Sequence, residues 1–166
     1  MAPRAVTGKT LGPPLGMYSH GMTAGPGELI VVAGQVGMEA GRVVGPGDVA
    51  AQTRQALANV DAVLRAAGAS MQDVIRFQTF LTSAADIDGF MRGRREAFPG
   101  YFPGGVYPPN TLLVVSRLVN PELLVEIEAM AVKASAAPAR SRVTAKGKPA
   151  GKRKPAGRRR GGRKRR

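Results

Sequence analysis

Cysteine and tryptophan are absent from this 166-residue sequence, histidine occurs once, and Phe and Tyr number five and three. Without cysteine there is no disulfide scaffold, no thiolate nucleophile and no Cys-ligated zinc site. The lack suits a reducing compartment, and a cytoplasmic location is expected. A lone His20 cannot make a histidine-rich metal site, so no metal and no organic cofactor are expected. Ser19, Ser83 and Ser116 give no clear Ser-His-Asp arrangement with it, and His20 reads as a neutral loop or pocket-edge residue. No apolar run approaches membrane-spanning length. The opening MAPRAVTGKT has Arg4 and Lys9 but no apolar core, so no secretory signal is expected.

Acidic residues are missing from one part of the chain altogether. Residues 133–166 carry 15 of the 25 Lys and Arg and none of the 11 Asp and Glu. The remaining residues are close to neutral, so the formal charge of +14 describes the end of the chain. Residues 134–166 contain no aromatic residue, and Val143 is the only large aliphatic. Lys148-Pro149-Ala150-Gly151 recurs as Lys154-Pro155-Ala156-Gly157. Such a polymer cannot bury enough surface to fold. It reads as a disordered basic tail, ending in Arg158, Arg159, Arg160, Arg163, Lys164, Arg165 and Arg166. Phosphate backbones are the obvious partner, giving non-specific DNA or RNA binding and a nucleoid-associated location. The plainer alternative is a solubilising terminus.

Three segments are therefore expected. Residues 1–16, rich in Gly and Pro, form a flexible lead-in, residues 17–133 a single folded domain, and residues 134–166 the tail. Within the domain, Met17–Thr23 and Glu28–Gln35 read as strands around Gly25-Pro26-Gly27, and Arg42–Val44 as a short return strand. Asp48 is a good N-cap for a helix whose apolar stripe is Val49, Thr53, Ala56, Leu57, Val60, Val63, Leu64 and Ala67. Gln52 and Asn59 lie off that stripe, and Gly68 closes the helix. Asp73–Leu81 is strand-like. Ser83–Ala97 is a second helix, stopped by Phe98-Pro99-Gly100, and Tyr101–Pro109 is loop.

Two last strands, Thr111–Leu118 and Leu123–Val132, are expected to join through the turn Val119-Asn120-Pro121-Glu122. The second alternates, with Val125, Ile127 and Ala129 on one face and Glu126 and Glu128 on the other. Leu112 to Val115, like Leu29 to Ala33, is apolar on both faces, and a strand of that kind wants both faces covered. The composite is an α+β domain: a mainly antiparallel sheet with two helices on one face and the other face left for a subunit interface.

Pro-Pro-Asn-Thr-Leu-Leu-Val-Val-Ser-Arg-Leu at 108–118, followed by Leu-Val-Glu-Ile-Glu-Ala at 124–129, resembles the C-terminal signature of the Rid/YjgF (RidA) family, also described as endoribonuclease L-PSP. The resemblance extends over about residues 15–133. It implies the chorismate mutase-like Rid fold and a homotrimer with a central barrel. The implied activity is hydrolysis of reactive 2-imino or enamino acids to 2-oxo acids and ammonia. Glu126 matches the glutamate that holds or deprotonates the attacking water; without the resemblance it is a solvent-facing strand carboxylate. Tyr18, in Gly-Met-Tyr-Ser-His-Gly, matches a pocket-lining tyrosine. Gly34, in Ala-Gly-Gln, matches a glycine whose backbone approaches the ligand. Asn110 departs from the pattern: the family has an arginine there that grips the substrate carboxylate with two hydrogen bonds. Arg117 lies an odd number of residues on, so a regular strand points it the other way. Arg92, Arg94 and Arg95 on the second helix are the remaining candidates, acting on a neighbour's pocket. Two other readings stay open: a non-enzymatic metabolite-binding protein tethered to nucleic acid by its tail, and a ribonuclease.

Overall fold

The computed structural model describes residues 1–135, within a compact unit spanning Met1–Ala136. The tail positions named above, Arg158 to Arg166, lie outside the described residues. In chain order the strands are β1 Arg4–Val6, β2 Gly21–Thr23, β3 Gly27–Val36, β4 Met38–Glu39, β5 Arg42–Val43, β6 Val74–Leu81, β7 Asn110–Val114 and β8 Val125–Ala134. The helices are α1 Val49–Ala66, between β5 and β6, and α2 Ile87–Tyr101, between β6 and β7. The main sheet has the order β3-β8-β6-β7. β8 is antiparallel to β3 and to β6, whereas β7 runs parallel to β6.

That parallel pair corrects the expected hairpin. Thr111–Leu118 and Leu123–Val132 were expected to pair with each other, but β6 lies between them. The chain leaves β6, crosses through α2 and returns along the outer edge of β6 as β7, as a helix crossover allows. β8 then takes the opposite edge of β6. Residues 115–124 connect the two, a longer link than the roughly two to five residues of a tight hairpin. The strand also ends early, at Val114, with Val115 N–H still donating to the Leu81 carbonyl at 2.8 Å.

The helices behave largely as their patterns dictate. The Asp48 carboxylate accepts from the Ala50 and Ala51 N–H groups at 2.9 and 3.1 Å, capping α1. Gln52, expected off the apolar stripe, is fully buried. Its amide donates to the Glu122 carbonyl at 2.9 Å and accepts from Leu124 N–H at 2.8 Å, so the polar group is compensated and fixes the approach to β8. Val63, expected on the stripe, is 39 % exposed. α2 begins after a 3-10 turn at Ala84–Asp86 and continues through Pro99 to Tyr101. Proline in a helix interior removes a hydrogen bond and costs about 3 kcal/mol. Here it falls in the final turn, and burial of Phe98 and Phe102 against Phe77 offsets it.

Both helices cover one face of the sheet. Leu57, Val60 and Leu64 of α1 and Phe90 and Phe98 of α2 share a core with Val32, Phe77, Leu81, Ile127 and Ala129. The expected strand Met17–Thr23 is shorter, only Gly21–Thr23. It pairs with Arg4–Val6, which lies in the segment expected to be a loose lead-in. The other face of the sheet is uncovered in the single chain. Leu29 and Val31 are 57 % and 68 % exposed there, and Leu113 is 43 % exposed.

Candidate functional site

Strand alternation sorts the site residues between the two faces. On β8, Val125, Ile127 and Ala129 are buried under the helices, so Glu126, Glu128 and Met130 point to the uncovered face. Phe80 of β6 is the register partner of Glu126 and shares that face. β3 runs through Gly34 to Val36, one residue beyond the expected end at Gln35, and its register with β8 shifts between Val32 and Gln35. Such an irregularity lets one strand bend and re-aims what lies across it. Gly34 sits in it, directly against the Glu126 side chain. A Cβ at Gly34 would overlap the Glu126 carboxylate oxygen and lie 2.6 Å from its Cδ. Only glycine lets the carboxylate lie down on the β3 backbone. Gly34 and Glu126 are thus brought together, about 90 residues apart in sequence.

Asn110 belongs to the other group. It opens β7 opposite Phe77, and its amide oxygen accepts from the Thr79 hydroxyl at 2.9 Å. Thr79 is 1 % exposed on the helix-covered side, so Asn110 faces the helices while Glu126 faces away from them. The sheet stands between the two in one chain. Thr79, which sequence reasoning did not single out, anchors Asn110. Its signal, a polar residue at an inward position of β6, is visible only once the strand's inward face is known.

Tyr18 lies in the segment before β2, with its ring edge-on to His20 at 6.3 Å between centroids. Ser19 donates its hydroxyl proton to the Tyr107 carbonyl at 2.6 Å and not to the histidine. His20 Nδ1 is buried and has no hydrogen-bond partner among the described residues. Met17 hands its carbonyl to Arg94 of α2, at 2.6 Å from Nη2. The backbone on either side of Tyr18 is thereby tied to the helix side of the sheet, where Asn110 also lies. Asn110, opposite Phe77, borders the aromatic cluster of Phe77, Phe98, Phe102 and Tyr107, whose ring centroids lie 5.0 to 6.4 Å apart.

Arg117, read as continuing the first of the last two strands, lies beyond the end of β7, exposed, with its Nε donating to the Leu118 carbonyl at 3.3 Å. Arg92 and Arg95 are exposed on α2, whereas Arg94 is 3 % exposed. Burial lowers the Arg94 pKa to about 10, which leaves it cationic at neutral pH. Among the described residues no group of three His, Cys, Asp or Glu is placed to hold a metal. None of the helices described is long and apolar enough to cross a membrane.

Residues 10–133 match the family described as Endoribonuclease L-PSP. A RutC family protein of Pyrococcus horikoshii is 38 % identical over 122 residues, covering 72 % of this chain and 90 % of the relative. A 2-iminobutanoate/2-iminopropanoate deaminase of Escherichia coli is 32 % identical over 119 residues, covering 72 % of this chain and 89 % of the relative. Among solved structures, a Rid-family protein of unknown function from Yersinia pestis superposes with a TM-score of 0.71 at 35 % identity. That match covers 80 % of this chain and all of the other. The YjgF gene product of Escherichia coli has a TM-score of 0.59 at 28 % identity, over 79 % of this chain and 99 % of its own. The family match over residues 10–133, the identity to the Pyrococcus horikoshii relative and the superposition on the Yersinia pestis structure agree, and the chain belongs to the Rid/YjgF (endoribonuclease L-PSP) family.

Proposed function

We propose that this protein is a homotrimeric hydrolytic deaminase of reactive 2-imino or enamino acids, limited in its turnover by Asn110. The observation that carries the reading is the Glu126 carboxylate lying on Gly34 at the irregularity in β3. The relative that acts on 2-iminobutanoate and 2-iminopropanoate adds to it. In this reading Glu126 takes a proton from a water as the water oxygen adds to the C=N carbon. The imine nitrogen gains a proton from solvent, giving a carbinolamine. Collapse of that intermediate breaks the C–N bond and forms the C=O bond as the hydroxyl proton passes to solvent, and the proton held by Glu126 goes to the departing nitrogen, which leaves as ammonia. The balance is one imine and one water to one 2-oxo acid and one ammonia. An enamino acid enters after protonation at its β-carbon gives the imine.

The pocket forms between copies. Gly34 and Glu126 come from the uncovered face of one chain, and Tyr18 and Asn110 from the helix side of its neighbour, because the sheet separates the pairs within a chain. The exposed Leu29, Val31 and Leu113 motivate the assembly, since exposed apolar surface of this kind marks an interaction face. Light scattering of a chain ending at Lys133 is expected to give about three times the chain mass, three copies being the fewest that close a ring of such faces without a two-fold axis. A stable monomer at micromolar concentration would remove the shared pocket and this reading with it.

The deciding measurement is ammonia release from freshly generated 2-iminobutanoate. Wild-type protein is expected to accelerate it measurably over spontaneous hydrolysis, and Glu126→Gln to return it to the background rate. General base catalysis of this kind contributes about 10²–10⁴-fold, which sets the ceiling on that loss. No acceleration by wild type would leave the second reading. There the pocket binds a small metabolite without turnover, a role favoured by the neutral Asn110 amide already engaged with Thr79. RNA cleavage ranks below both, because the sole histidine has its Nδ1 buried and no second one can pair with it.

A further inference from the structure

Arg94 is the one buried charged side chain among the described residues. Its guanidinium carbon lies 4.4 Å from the Phe98 ring centroid and 5.4 Å from that of Phe90. Beyond those rings it has one oxygen partner, the Met17 carbonyl, and a weak contact from Nη1 to Met91 Sδ at 3.9 Å. The salt bridges among the described residues join Arg54 to Glu96, Arg65 to Asp61 and Lys133 to Glu28, and none reaches Arg94. A guanidinium carries five donors in a planar fork, and a buried charge without a counter-charge is costly. Gly93, the preceding residue, explains how the cation comes to be enclosed. A Cβ there would sit 2.8 Å from the Ala50 carbonyl, so α2 presses closely on α1 and holds Arg94 beside the segment Leu15–Met17.

Arg94 lines a cleft of about 200 Å3 with Leu15, Gly16, Met17, Met91 and Arg95. The walls are apolar or cationic, and no Asp or Glu lines it. The volume is below the roughly 300–1,000 Å3 of pockets for drug-sized ligands, which limits the occupant to a few carbons. Tyr18, Asn110 and Glu126 do not line the cleft, so it is distinct from the pocket proposed above, with Met17 joining it to Tyr18, and it holds no group able to act as a base. We propose that it is a binding site for the carboxylate of a short aliphatic acid. The carboxylate would pair with the free edge of the Arg94 guanidinium, Arg95 would add charge, and the alkyl chain would lie against Met17, Met91 and Leu15. The site goes beyond the deaminase reading, since it binds its ligand without transforming it.

The test uses the full chain and butanoate, titrated at about 0.15 M salt to screen the basic terminus. Wild-type protein is expected to bind saturably, with perturbed NMR signals from the Met17 and Met91 methyl groups, and uncharged 1-butanol to give no such response. Arg94→Met should weaken butanoate binding at least about tenfold, as expected for loss of a charge-assisted hydrogen bond. Arg94→Lys, which keeps the charge without the fork, should fall between the two and serves should the methionine variant fail to fold. Three results would each overturn the proposal: no saturable wild-type binding, binding that leaves the Met17 and Met91 methyls unmoved, or equal affinity in wild type and the Arg94 variants. No turnover is involved, so failure of the ammonia assay and failure of this titration are separate outcomes.

Discussion

Asn110→Arg is expected to raise ammonia release from 2-iminobutanoate by about thirty- to several-thousand-fold over wild type. Loss of a desolvated charge pair costs on the order of 2–5 kcal/mol, and each 1.4 kcal/mol is about tenfold. A neutral amide has no charge and no two-pronged donor to offer a carboxylate. Here the Asn110 amide oxygen is also committed to the Thr79 hydroxyl, which fixes the side chain against the sheet. β7 is an edge strand, so a longer side chain has a route outward past the sheet. Freeing the buried Thr79 hydroxyl from its acceptor costs about 1–3 kcal/mol, a loss that falls on stability rather than on turnover. The companion change Glu126→Gln should abolish whatever the arginine variant gains, because the two residues are proposed to act on one substrate from neighbouring copies. Wild-type turnover of 2-iminobutanoate equal to that of the arginine variant would count against Asn110 as the limiting residue. It would point to an exposed cation of a neighbouring copy, Arg92 or Arg95, in its place.

The second large effect concerns residues 133–166. Their 15 basic and no acidic side chains, against a nearly neutral remainder, motivate binding to duplex DNA or RNA with little sequence preference. The logarithm of the binding constant should fall with the logarithm of salt at about 0.9 per neutralised phosphate on B-form DNA. With six to ten phosphates contacted, raising salt from 50 to 200 mM would weaken binding by roughly 10³–10⁵. A chain ending at Lys133 should keep the circular dichroism of the folded unit and lose most of this affinity. Equal affinity with and without the terminus would place the phosphate contacts on the folded unit instead.

Local rules carried much of this protein. Asp48 caps α1 as its type and position dictate, because an N-cap needs only a side-chain oxygen and two nearby N–H groups. The alternation Val125, Ile127, Ala129 against Glu126 and Glu128 gave both the strand and its faces, since side chains on a strand alternate with period two. The motif at 108–129 was legible as family membership, with Asn110 as its departure. Tertiary structure decided what depends on which segments meet. It placed β6 between β7 and β8, because a parallel return through α2 pairs β7 with β6 and not with the strand that follows it in sequence. It carried α2 through Pro99, where the burial of Phe98 and Phe102 outweighed a local breaker. It buried Gln52 by supplying a backbone donor and acceptor some 70 residues away. The same long-range placement set Glu126 on Gly34, enclosed Arg94 without an acid, and put Asn110 on the opposite face from Glu126. Those relations arise from registers between distant strands and from helix packing, and composition and local periodicity hold no record of either.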